Sequence, residues 1–318
     1  MMNRKEKIPV AAVVGPTASG KSRLAVELAL SRNGEVISAD SMQIYKGMNI
    51  GTAKPTAEEM RGVPHHLIDF APLSQPFSVA DYVSLASDCI SEVHARGRLP
   101  VIAGGTGLYI RSLLQNIRFT ENDKDEALRK ELAEKAEKLG VQTLIDELRS
   151  FDPTSAQRIH PNNLGRVIRA IEIYRTTGVT MTEQFELSRQ MPSPYDACII
   201  GLDFQDRQKL YDRINLRVDR MMQDGLLAEA EEILNRPGAQ TALQAIGYKE
   251  LLPYFRSECS LDEAVESVKR ESRRYAKRQL TWFRRDGNIH WIMVDEYTDF
   301  DGVIQQAFRI IDRKGWER

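Results

Sequence analysis

Eight consecutive residues, Gly15, Pro16, Thr17, Ala18, Ser19, Gly20, Lys21 and Ser22, carry the clearest chemistry in this sequence. Glycines at both ends let successive backbone N–H groups converge on an anion, and a helix that starts there adds a partial positive charge. Lys21 supplies a full charge, and Ser22 offers a hydroxyl to a phosphate-bound metal. A merely structural glycine turn requires neither the lysine nor the hydroxyl, so the spacing predicts a site for a diphosphate or triphosphate. Asp40, in SADSMQ, is the nearest carboxylate that a second strand would deliver to the same place, although Asp in such a segment also forms turns. Arg213 and Arg217 lie at i and i+4 in RINLR, on one face of a helix. They read either as a clamp for diphosphate or as a solvated face paired with Asp212 and Asp219.

The elements that must position these groups follow from the hydrophobic pattern. IPVAAVV (Ile8 to Val14) is a continuous apolar run of the kind found in a parallel strand buried on both faces. A helix from Ser22 to Ser31 and a strand EVISAD ending at Asp40 complete a βαβ start. Helical periodicity from Val79 to Arg96, the strand LPVIAGG and a helix from Thr106 to Leu114 extend the alternation. The fold class is therefore α/β, a P-loop-like parallel sheet flanked by helices. LPVIAGG ends in glycines rather than in the magnesium-holding acid of a nucleotide hydrolase, which argues against a P-loop kinase. From Gln115 to Pro194 strand signals cease. Asp123 to Leu148 and Asn162 to Thr177 read as helices, so residues 115–194 are expected to form an all-helical insertion in a core made of 1–114 and 195–318. The core resumes with the strand ACIIGLDF, helices Asp206 to Asp224, Leu226 to Asn235 and Leu261 to Phe283, the strand NIHWIMV and a helix from Val303 to Ile311.

Composition removes several classes of function. The chain has 318 residues, 42% hydrophobic and 28% charged, with 44 Lys plus Arg against 45 Asp plus Glu. A net charge of -1 excludes a protein that binds polyanions by being basic throughout, so any nucleic-acid site is a local patch. No run approaches the roughly 18 apolar residues of a membrane span, and MMNRKEKIPV lacks a signal-peptide core, which predicts a cytoplasmic protein with no membrane contact. Cys89, Cys198 and Cys259 are too dispersed for a disulfide framework or zinc ribbon, and His65, His66, His94, His160 and His290 show no metal spacing. The local patch is KRESRRYAKRQLTWFRR, with eight basic residues and one acid between Lys269 and Arg285. At 100° per residue, Arg270, Arg273, Arg274, Lys277 and Arg278 share one face, opposite Val268, Tyr275, Gln279 and Phe283. Such a stripe is either a solvated helix or a track for a phosphate backbone.

Taken in order, GPTASGKS, SADSMQIYKGMNIGTAKP, GGTGLYI, HHLID, DP followed by RIHPNN, RINLRVDRM, AIGYKE and KRQLTWFRR resemble the bacterial tRNA isopentenyltransferase family over nearly the whole chain. The resemblance implies transfer of a dimethylallyl group from dimethylallyl diphosphate to the exocyclic amine of the adenine 3′ to the anticodon, with magnesium. It implies that Asp40 is the general base, that Thr106 lies near the target adenine, and that Arg217, more than Arg213, holds the diphosphate. A helix N-cap remains the other reading of Thr106. Ser41, Met42 and Gln43 would continue the RNA contact, as would Arg166 and Arg169 of the insertion and Arg273, Arg274, Lys277 and Arg278 of the stripe. Most family members have Thr where this chain has Ser22, and either hydroxyl suits magnesium. The expected partners are a tRNA anticodon stem-loop and dimethylallyl diphosphate, with the chain acting as a monomer.

Overall fold

The computed structural model describes residues 7–117 and 125–316. In chain order the first part runs β1 (Ile8–Val14), α1 (Lys21–Ser31), β2 (Gly34–Ser38), α2 (Ala57–Met60), β3 (His65–His66), α3 (Val79–Ala95), β4 (Leu99–Ala103) and α4 (Gly107–Leu114). Five helices follow: α5 (Glu126–Leu139), α6 (Val141–Phe151), α7 (Pro153–Arg158), α8 (Leu164–Thr177) and α9 (Met181–Gln190). The last part comprises β5 (Tyr195–Asp203), α10 (Arg207–Gln223), α11 (Leu226–Leu234), α12 (Leu252–Phe255), α13 (Leu261–Phe283), β6 (Ile289–Met293) and α14 (Phe300–Asp312). The chain divides into two compact units, Gln115–Ser193 on one hand and 2–114 with 194–318 on the other.

The larger unit is built on one sheet in the order β3-β2-β4-β1-β5-β6, with every neighbouring pair parallel. β1 is central, and its side chains alternate between two cores, as the two-residue period of a strand demands. Ala11 and Val13 pack with Leu24 and Leu28 of α1 and Ile214 of α10, whereas Val10, Ala12 and Val14 pack with Tyr82 and Ile90 of α3 and Ile110 of α4. A third core gathers Ile44, Met48, Ile233, Tyr248 and Val268 beyond the sheet. The 23-residue α13, about 35 Å long at 1.5 Å per residue, contributes to all three cores through Val268, Leu280 and Phe283. Ser260 and Glu263 cap its start reciprocally. From β1 the chain first builds β2, β3 and β4 to one side and later β5 and β6 to the other. The carboxyl end of β1 is thus the switch point where ligands of open α/β sheets bind.

The insertion has its own core of Leu132, Leu144, Leu148, Val167 and Ile171. Its described residues contain helices and no strand. The single helical run expected from Asp123 is two helices, broken at Gly140, whose φ of +85° suits only glycine. Asp123 itself lies outside the described residues. Glu172, fully buried, accepts hydrogen bonds from Arg129 Nε (2.8 Å), Arg169 Nη1 (2.7 Å) and the Asp125 amide (2.9 Å). The unpredicted β3 is a two-residue edge strand paired with β2, where His66 Nε2 lies 2.6 Å from the buried carboxylate of Glu35. No helix of the described residues is long and apolar enough to cross a membrane.

Candidate active site

Three loops meet at the carboxyl ends of β1, β2 and β4. Gly104 is obligatory at this junction, because a Cβ there would sit 2.2 Å from the Ala39 carbonyl oxygen. The Thr106 amide donates to the same oxygen (3.1 Å), and Thr106 Oγ1 accepts from the Ser41 amide (3.1 Å). Thr106 also stands at the N-cap position of α4, its carbonyl accepting from the Ile110 amide (3.3 Å), so its hydroxyl ties two loops together at the start of that helix. Asp40 Oδ1 accepts from the amides of Met42 (2.9 Å) and Gln43 (3.3 Å), forming the turn that its residue type suggests. The same carboxylate faces a cavity of about 320 Å³, so the turn and the site are compatible roles.

The phosphate loop supplies the opposite wall. Gly20, at φ +97°, precedes α1 with no side-chain cap, which leaves the first amides of that helix without partners inside the helix. A Cβ at Gly20 would lie 2.5 Å from the Phe300 ring. Lys21 Nζ donates to the Pro16 carbonyl (2.6 Å) and is drawn down to about 7, first by burial and then by the nearby Arg217 cation, with Asp40 acting in the other direction. Burial likewise pulls Arg217 down from the usual guanidinium range, against the pull of Asp40 and Glu59. Two cations enclosed beside each other without an equal negative charge form a site that favours an anion.

The cavity brings together Thr17, Lys21, Ser22, Asp40, Ser41, Met42, Gln43, Arg217 and Arg278 from the expected set. Other members stand behind it or apart from it. Arg217 Nη1 donates to Thr17 Oγ1 (3.1 Å), and the exposed Arg213 braces the loop through the Ala18 carbonyl (2.9 Å), so neither pairs with Asp212 or Asp219. Asp219 is instead bound by Lys269 at 2.8 Å. The Ser19 hydroxyl is buried and has no partner among the described residues. The Thr17 amide is turned out of the anion cradle, donating to Gln279 Oε1 at 2.8 Å. Asp203 ends β5, next to β1, as a metal-binding acid would, but Arg284 Nη2 holds its Oδ2 at 2.6 Å.

Sequence reasoning overlooked part of the wall. Tyr275 and Gln279, placed on the core face of α13, line the cavity, together with Ser272 and the segment from Gln244 to Lys249. A glutamine on an otherwise apolar face was the available signal, since a buried amide needs partners. Burial raises the Tyr275 phenol, with Asp40 adding to the effect and hydrogen bonds to Thr106 and Gln279 opposing it. Glu229 was also missed. Its carboxylate accepts from the amides of Asn49 (2.9 Å), Ile50 (2.8 Å) and Gly51 (2.9 Å), fixing a loop whose Gly51 and Thr52 reach the cavity.

The basic stripe is narrower than its helical wheel suggests. Arg273 donates to Asn215 Oδ1 (2.6 Å), and Arg274 pairs with Glu271 (2.6 Å). Lys277, Arg278 and Arg285 are exposed and flank Trp282 in a shallow surface depression. On the insertion, Arg166 is exposed, whereas Arg169 is engaged by Glu172. Among the described residues no group of three or more His, Cys, Asp or Glu is placed to hold a metal ion.

A parallel sheet whose uncapped phosphate loop shares a cavity with a carboxylate from the end of the neighbouring strand defines a P-loop-fold enzyme of the transferase class. The model of the IPP transferase family matches residues 43–286, and the chain belongs to that family. A tRNA dimethylallyltransferase of Halalkalibacterium halodurans is 50% identical over 311 residues, 98% of either chain. Among solved structures, a full-length tRNA isopentenylpyrophosphate transferase from Bacillus halodurans is 47% identical with a TM-score of 0.72, covering 97% of this chain and 98% of that one. A eukaryotic dimethylallyltransferase acting on tRNA is 28% identical with a TM-score of 0.77, covering 94% of this chain and 77% of its own.

Proposed function

We propose that this protein is a tRNA dimethylallyltransferase, moving the dimethylallyl group of dimethylallyl diphosphate to the exocyclic amine of the adenine 3′ to the anticodon. The observation that carries the reading is a single cavity of about 320 Å³ into which Asp40 and the phosphate-loop residues Lys21 and Ser22 open together. The adenine nitrogen forms a bond to the allylic carbon, the carbon–oxygen bond breaks with its electron pair going to diphosphate, and the amine proton passes to Asp40. An adenine amine is a weak nucleophile, so a carboxylate within about 2.6–3.2 Å is worth about 10²–10⁴ in rate. Lys21, Arg217 and the first amides of α1 stabilise the departing anion by preorganised charge, which requires no water-activating acid. The engagement of Asp203 by Arg284 accords with this.

The donor set fits magnesium only in company. Ser22 is exposed on the cavity and no cluster among the described residues is placed to hold a metal alone, so an ion carried in on diphosphate oxygens would be held by Ser22. Such an ion supplies further positive charge to the leaving group. The target base must leave its stack, at a cost of about a few kcal/mol that is least in a loop. Lys277, Arg278 and Arg285 beside Trp282 suit the backbone and a base of single-stranded RNA. Incubation with labelled dimethylallyl diphosphate and unmodified tRNA, followed by nuclease mapping, is expected to place the label on that adenine. Label at another base, or none, would refute the assignment.

A further inference from the structure

We infer that Gln279 is a positioning residue for the phosphate cradle, its side-chain amide fastening the β1–α1 loop to the β4–α4 turn. The side chain is 5% exposed and is used at both ends. Oε1 accepts the Thr17 amide at 2.8 Å, and Nε2 donates to the Gly105 carbonyl at 3.1 Å. No other side chain the size of glutamine presents an acceptor and a donor side by side without charge. Gly105 makes room for it, since a Cβ there would lie 2.0 Å from Nε2.

The consequence for the site is geometric. Thr17 is held at two points, its amide by Gln279 and its hydroxyl by Arg217, so the loop that precedes Lys21 cannot rotate independently of α13. Glutamate at 279 would keep the acceptor but set a carboxylate against the Gly105 carbonyl. Leucine would take this partner from the buried Gly105 carbonyl and from the half-buried Thr17 amide, and a buried polar group left without its partner is costly. Either change releases the Thr17 end of the loop, while Asp40 and the exposed cations around Trp282 remain in place.

This inference rests on the proposed function for its kinetic readout, and its binding readout stands apart from it. Gln279→Leu and Gln279→Glu are expected to weaken inorganic diphosphate binding by calorimetry at least about tenfold and to raise KM for dimethylallyl diphosphate similarly, while tRNA affinity stays within about twofold. Diphosphate affinity equal to that of the parent protein overturns the inference, even if transfer is lost. Exchange of the Thr17 amide proton in the unaltered protein covers the case in which a variant does not fold. Slow exchange is expected, and exchange at the rate of an open loop overturns the inference. If the unaltered protein binds diphosphate in a Gln279-dependent way yet transfers no dimethylallyl group, the inference stands and the functional reading falls.

Discussion

Asp40 commits one carboxylate oxygen to its own turn and faces the cavity with the group as a whole. Asp40→Asn keeps an acceptor for the Met42 amide, so it removes the base with little change in shape. Single-turnover transfer is expected to slow by about 10²–10⁴, with tRNA retention on filters within about twofold. An unchanged rate would remove Asp40 from proton transfer. Lys21 makes a pH-dependent prediction. Its value of about 7 lies below that of the unfolded chain, so carrying the charge there costs stability. That cost is absent above about 10.4, grows as pH falls toward 7 and is constant below. A bound diphosphate favours the charged form and reverses the shift. At pH 8 binding should therefore take up about one proton at Lys21, and at pH 5 almost none. Calorimetry in buffers of different ionisation enthalpy measures this, and no uptake at pH 8 would contradict the assigned environment.

Among the elements, α13 is where sequence and structure part most instructively. Its ends at Leu261 and Phe283 follow from the pattern, and its basic content is plain, but a helical wheel does not register the neighbours that claim individual charges. Arg273 is claimed by Asn215 of α10 and Arg284 by Asp203 of β5, contacts that no periodicity encodes. Gln279 shows the same gap from the inside, because its partners lie 262 and 174 residues away. The sheet was legible because a central parallel strand such as β1 must be apolar throughout. The two-residue β3 was not, since it is defined by pairing rather than composition. Replacing Lys277 and Arg285 together by Ala is expected to lower the slope of log affinity for tRNA against log salt by about one to two. An unchanged slope would locate the RNA elsewhere. In the insertion, burial alone would raise Glu172, and hydrogen bonds from Arg129, Arg169 and the Asp125 amide outweigh it and bring it to about 2. The stability this provides is complete above the usual 4.5 and is lost as pH falls through about 2. Glu172→Gln should flatten the pH dependence of denaturant unfolding over that window, and a profile parallel to the parent's would refute the role.

Across the whole molecule, every group assigned to the donor site is brought in by a different stretch of chain: 15–22, 40–43, 104–106, Arg217 and Gln279. The P-loop motif was readable near the start, while the residue that holds its Thr17 amide lies near the end. Few local contacts can preform such a pocket, and closing it awaits distant partners. On the ribosome, the motif emerges more than two hundred and fifty residues before Gln279, the clasp that secures it. On the proposed reading, a growing polypeptide thus carries the phosphate-loop motif well before the groups that complete its pocket are synthesised. Premature termination before α13 is accordingly predicted to leave a fragment that does not retain diphosphate, and retention equal to that of the full chain would contradict it.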